Sequence, residues 1–236
     1  MEFLGRTELL YGDGYSDIIK SKKVAIFGVG GVGGYVAEIL CRSGVSNFLL
    51  CDNDIVSVSN INRQIIATTD TVSRAKTEVL AERLSAINPS VNIRLVNEFL
   101  MPDNVGKYIS DELDFVCDAI DTVTAKLALI LKCNELFVPI ISSMGAGNRV
   151  DPLKVRIGDI FKTENDPLAR VMRRELRKRN VKKLTCVYSE ELPVKPGLSD
   201  VDLKNGRSAP GSTAFVPAAF GIAMAAYVVN KLTFIY

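Results

Sequence analysis

The sequence predicts an α/β fold whose sheet is doubly wound and mostly parallel. Two observations lead there: short apolar runs end on glycine or aspartate, and segments with helical spacing separate them. Val24 to Phe27 is the first such run and reads as a strand buried on both faces. Gly28 to Gly34 follows as a loop, and Tyr35 to Arg42 as a helix. Phe48 to Cys51 is a second strand, closing on Asp52. From Val72 to Ile87, the residues Val72, Ala75, Val79, Leu80, Leu84 and Ile87 share one helical face, which Asn88-Pro89 stops. Asn92 to Val96 reads as a third strand, Phe115 to Ile120 as a fourth, Thr122 to Leu136 as a helix and Val138 to Ser142 as a fifth strand. Met144 to Asn148 is a glycine-rich turn, and Lys195 to Gly211 reads as a surface loop. The apolar stretch from Val216 to Val229 is shorter than the roughly 20 residues that span a bilayer, so it reads as a core helix with no stable membrane insertion.

Length and composition narrow the function. The 236 residues suit one domain, 1–236, with a nucleotide-binding core over 1–145 and a substrate-facing extension with the core helix over 146–236. There is no histidine, which excludes Ser-His-Asp and Cys-His catalysis and His-ligated metals. Five cysteines without a CxxC pair, and no signal peptide at Met1-Glu2-Phe3, point to a reducing cytoplasm. Cys186 lies between strand-like residues and reads as a spectator thiol, although related chemistry uses cysteines in thioester formation. A net charge of +2 gives no general basic signal, so any such signal is local.

The chemistry begins at Gly28, Gly30, Gly31 and Gly33. GxGxxG between a strand and a helix lets backbone approach phosphate at a helix N-terminus. Asp52, at the end of the next strand, stands where a ribose-binding acid belongs in a Rossmann-like sheet. These two features alone also fit a nicotinamide-dependent oxidoreductase. The next residues count against that reading: Arg63 and Lys76 are cations that a dehydrogenase does not need there.

Gly28 to Gly33, Asp52-Asn53-Asp54, Asn60-Ile61-Asn62-Arg63-Gln64, Lys76 and Asp121 follow in an order that resembles the ubiquitin-activating-enzyme superfamily, including the bacterial ThiF and MoeB adenylyltransferases. The resemblance implies ATP and Mg as cofactors. Asp54, Asn60, Arg63, Gln64 and Lys76 would bind nucleotide, Asp121 would bind metal, and Arg6 would reach the neighbour's ATP across a homodimer. The chemistry is consistent, because phosphate charge spreading in the transition state calls for cations and positioned donors more than for a base. Within the superfamily, Arg6 to Gly12, Ser142 to Gly147, Asp151 to Val155, Val187 to Glu191 and Gly211 to Pro217 resemble bacterial tRNA threonylcarbamoyladenosine dehydratases. That resemblance implies activation of a threonyl carboxylate on tRNA, closure of a ring by the carbamoyl group of the same side chain, and room for a sulfur-relay protein partner. The alternative is a ThiF or MoeB-type enzyme acting on the C-terminus of a sulfur-carrier protein. The missing CxxC pairs weigh against it.

The local basic signal lies between Asp166 and Lys183. Arg170, Arg173, Arg174 and Arg177 share a helical face, with Val171 and Leu176 expected inward. A stripe of this kind suits the phosphate backbone of tRNA.

Overall fold

A computed structural model describes residues 2–195, 203–204, 207–208 and 210–233. Two short helices, α1 (Gly5–Tyr11) and α2 (Tyr15–Ser21), precede β1 (Lys23–Phe27). Next come α3 (Gly33–Arg42), β2 (Asn47–Cys51), α4 (Lys76–Ile87), β3 (Asn92–Val96), β4 (Phe115–Asp118), α5 (Val123–Glu135) and β5 (Ile140–Ser143). The chain continues through β6 (Val155–Asp159), α6 (Pro167–Lys178), β7 (Thr185–Ser189), a two-stranded ribbon of β8 (Leu203–Lys204) and β9 (Arg207–Ser208), and α7 (Phe215–Leu232). The rest of the 195–211 stretch read as a loop lies outside the described residues, apart from Lys195 and Pro210-Gly211.

The seven-stranded sheet has the order β3-β2-β1-β4-β5-β7-β6. Every pairing is parallel except that of β6 with β7. The chain leaves β1 toward β2 and β3, then returns to place β4 on the other side of β1. This reversal parts the loops after β1 and β4 and opens a crevice at their carboxyl ends, where ligands bind in such sheets. The period-2 alternation of β1 serves both faces. Val24 and Ile26 join the core under α3, α4 and α7, while Ala25 and Phe27 join the one under α5.

Several boundaries differ from the sequence reading, each for a local reason. The fourth strand stops at Asp118 rather than Ile120, because the Ile120 N–H bonds the Asp118 carboxylate instead of a neighbouring strand. The second helix starts at Lys76 rather than Val72. Ser73 has a left-handed φ of 71°, and its N–H bonds the Val56 carbonyl. α3 begins two residues early, at Gly33.

α7 is long and apolar enough to cross a membrane by length and composition, but half of it is buried in the protein. Val216, Phe220, Met224, Val228 and Leu232 recur every fourth residue and face the core. A Cβ on Gly221 would stand 2.6 Å from Tyr35 Cβ, so only glycine lets α7 lie this close to α3. This is the core helix that the sequence predicts.

Candidate active site

The glycine loop closes because its residues lack side chains. Gly28 has φ +83°, and a Cβ there would meet the Ala119 carbonyl oxygen at 2.7 Å. A Cβ on Gly33 would fall 1.8 Å from the Gly28 carbonyl oxygen. Gly33 therefore permits the turn and does not line the cleft, whereas Gly28, Gly30 and Gly31 do. The cleft at the crevice measures about 460 Å³.

Asp52 steadies the loop, its Oδ2 accepting the Val29 N–H at 2.8 Å and its Oδ1 the Asp54 N–H at 2.9 Å. Lys76, nearly buried at the start of α4, donates to Asp54 Oδ2 at 2.7 Å. Asn60 closes the following turn, accepting the Ser57 N–H on its side chain and the Arg63 and Gln64 N–H groups on its carbonyl. Arg63 is braced against the Ser59 carbonyl at 2.8 Å and Asn62 Oδ1 at 2.9 Å. Gln64 lines the cleft, and its Oε1 is buried with no hydrogen-bond partner. Asp121 completes the rim opposite these residues, exposed and touched by the Thr122 hydroxyl at 3.3 Å.

The fold thus gathers Gly28, Gly30, Gly31, Asp52 and Asp54 with Asn60, Arg63, Gln64, Lys76 and Asp121 around one cleft. Arg6 is not among them; it is exposed on α1. Sequence reasoning missed the wall made by Glu98, Phe99 and Leu100, and also Asn53 and Thr122. The signal was available for the wall, since these three residues follow the third parallel strand at its carboxyl end.

The ThiF family profile matches residues 6–235. This chain belongs to the ThiF family. It is 37% identical to the tRNA threonylcarbamoyladenosine dehydratase of Bacillus subtilis, across 96% of this chain and 93% of that protein. The Escherichia coli enzyme of the same name is 36% identical over 97% of this chain and 92% of that one. A crystal structure of the E. coli dehydratase with ATP superposes with a TM-score of 0.90 at 36% identity, covering 99% of this chain and 94% of that one. The molybdopterin-synthase adenylyltransferase of Haemophilus influenzae is 35% identical, but over only 56% of this chain. A ThiF-family chain is a poor fit to the nicotinamide oxidoreductase reading, which is set aside.

In this ThiF-family chain α6 begins close to the cleft's end of the sheet. Asp166 caps it, accepting the Ala169 N–H at 2.8 Å, and also accepts the Gly145 N–H of the loop after β5 at 3.1 Å. Burial raises the Asp166 carboxyl above its usual range despite these donors and Arg149. Ala169, Met172 and Leu176 form the inward face. Met172, not Val171, partners Leu176 there, a correction that follows from the helix's 3.6-residue period. α6 ends at Lys178, short of the basic run's end at Lys183.

The outward cations differ in freedom. Arg170 is exposed, Arg174 pairs with Glu175 at 3.3 Å, and Arg177 stacks 5.4 Å from the Phe161 ring. Arg173 is half-buried and donates to the Thr163 carbonyl at 2.9 Å. Lys178 and Arg179, with Arg174, hold the Glu175 carboxyl down to about 2. Cys186 is fully buried on β7, and burial, then the Asp166 charge, pushes its thiol up to about 12. A thiol so placed is protonated at neutral pH and out of reach of substrate, in keeping with a spectator.

Proposed function

We propose that this protein is an ATP-dependent tRNA threonylcarbamoyladenosine dehydratase. The observation that carries the reading is the cleft around Gly28, in a chain that matches dehydratases of that name over 96–97% of its own length and 92–93% of theirs. ATP would lie with its phosphates over the glycine loop and the N-terminus of α3. Arg63 and Lys76 would meet the phosphate oxygens, Lys76 exchanging Asp54 for phosphate. The substrate's threonyl carboxylate attacks the α-phosphorus and pyrophosphate leaves. The carbamoyl group of the same side chain then displaces AMP and closes the ring, with water lost overall. The nucleophiles both belong to the substrate, so the chain needs no catalytic histidine or cysteine.

Mg fits at Asp121. Among the described residues no cluster of three acidic or sulfur donors could cage a metal, and one exposed carboxylate beside a phosphate site is the donor set Mg commonly takes. Bound there, Mg would neutralise charge on the departing pyrophosphate. Asn60 and Gln64, which both line the cleft, would supply neutral hydrogen bonds to the nucleotide.

The exposed face of α6, with Arg170, Arg173, Arg174 and Arg177, would hold the tRNA backbone, Arg173 through the half of its guanidinium that Thr163 does not engage. Asp166 ties that helix to the loop after β5, so tRNA bound on it would lie next to the cleft. The homodimer is also part of this reading. Leu9 and Leu10 on α1 are more than four-fifths exposed, an apolar face beside Arg6 that a second copy would cover. The cellular setting would be the cytoplasm, where the free, buried cysteines stay reduced. Among the described residues, none is assigned to a sulfur-relay partner. The reading is tested by incubating the protein with ATP and tRNA and assaying AMP, pyrophosphate and the modified nucleoside. AMP release that depends on a sulfur-carrier protein instead of tRNA would favour the adenylyltransferase alternative.

A further inference from the structure

Beneath the cleft lies a buried ion pair that none of the roles above uses. Lys126 on α5 and Asp118 at the end of β4 are both fully buried, 3.0 Å apart. Desolvation of such a pair offsets most of its attraction, so stability alone is a weak reason for its presence. Its other bonds supply a stronger one. Lys126 Nζ also donates to the Ile120 carbonyl at 2.8 Å, and Asp118 Oδ1 accepts the Ile120 N–H at 3.2 Å. Asp118 Oδ2 accepts the Ser142 hydroxyl at 2.5 Å, anchoring the pair to β5. Both backbone polar groups of Ile120 are thus gripped from below, and Ile120 immediately precedes Asp121. Asp121 itself has no comparable brace, since its carboxylate is exposed and meets the Thr122 hydroxyl at 3.3 Å.

We propose that Lys126, acting with Asp118, is a positioning residue that sets the Asp121 carboxylate where it meets a divalent cation on the nucleotide's phosphates. This rests on the reading of Asp121 as the Mg residue. The clamp fixes the backbone on the N-terminal side of Asp121 while leaving its side chain free, the arrangement expected of a support beneath a metal ligand. Ala119, two residues before Asp121, abuts Gly28, so the glycine loop bounds the same segment from the other side.

The test is calorimetry of ATP with and without Mg, and of AMP as a metal-independent control, on Lys126→Met, Asp121→Asn and the wild type. Hydrogen exchange at the Ile120 amide, which the Asp118 carboxylate holds, is followed in parallel. Lys126→Met is expected to lower the Mg-dependent part of ATP affinity by about 10–100-fold, as loss of outer supports of metal ligands commonly does, with AMP affinity unchanged and the Ile120 amide exchanging faster. Adding Lys126→Met to Asp121→Asn should cost no further Mg dependence. A folded Lys126→Met protein with wild-type Mg dependence and wild-type exchange overturns the proposal. So does an equal loss of AMP affinity, which would make Lys126 a general support of the fold. If Asp121→Asn keeps its Mg dependence, the metal reading of Asp121 fails, and amide exchange in Lys126→Met then decides the clamp alone. Should Lys126→Met not fold, Asp118→Asn with Lys126→Met, which removes both buried charges together, carries the same measurements.

Discussion

Lys76 is nearly buried, bound to an exposed Asp54, and at the rim of a cleft with room for phosphate. A lysine held this way gives its charge to a ligand without first being ordered, which is what electrostatic stabilisation of a transition state requires. Lys76→Ala is expected to lower turnover by about 10²–10³-fold with the circular dichroism spectrum unchanged. Near-normal AMP release from the folded variant would remove Lys76 from the mechanism. Cys186 gives the opposite expectation. Its thiol is buried and pushed up to about 12, so Cys186→Ala should keep turnover within about twofold while losing about 1 kcal/mol of stability to a small cavity. Loss of turnover at normal stability would show that the thiol takes part.

Some of these residues were legible in the sequence and some were not. Gly28, Asp52 and Asp121 could be placed at the cleft because each follows a strand end, and strand ends show in the apolar pattern, whereas Arg63 and Lys76 lie farther along the chain and were placed through the motif they share with the superfamily. Lys126 could not. A lysine inside a helical stretch reads as a solvated charge, and its burial depends on a strand pairing that brings Asp118 opposite Ser142.

At the scale of elements, α6 is the part whose role depends most on its surroundings. The sequence reading gave one face of four equivalent arginines. The fold leaves Arg170 exposed, pairs Arg174 with Glu175, stacks Arg177 on Phe161 and turns Arg173 toward Thr163. That distinction lies in tertiary contacts and so was not legible from helical spacing. The antiparallel strand β6 was missed as well, because Val155–Asp159 is short and only partly buried, which leaves little hydrophobic pattern. Changing Arg170, Arg174 and Arg177 together to Gln should weaken tRNA binding and flatten its salt dependence by about one unit of slope for each phosphate contact removed. ATP affinity should persist, since none of the three lines the cleft. An unchanged slope, measured across several salt concentrations, would make the stripe a solvated face.

At the scale of the whole molecule, one sheet reversal between β1 and β4 places the glycine loop and the Asp121 segment on either side of a single crevice. Arg6 is the exception, exposed on α1 outside the cleft. If a second copy covers α1 and Arg6 reaches its partner's nucleotide, Arg6→Ala and Lys76→Ala chains should be inactive alone and active when mixed. A mixed dimer rebuilds one intact site, so about a quarter of wild-type activity should return. No recovery from chains shown to exchange would place Arg6 in its own subunit or outside the site.

On this reading, the cleft uses ATP to drive loss of water from threonylcarbamoyladenosine in tRNA. Mass spectrometry of the nucleosides released from tRNA tests it most directly, after incubation with the protein and with or without ATP and Mg. The threonylcarbamoyladenosine signal is expected to be replaced by one lighter by a single water, only when ATP is present, and not with Lys76→Ala. An unchanged nucleoside profile, from protein that binds both ATP and tRNA, would contradict it.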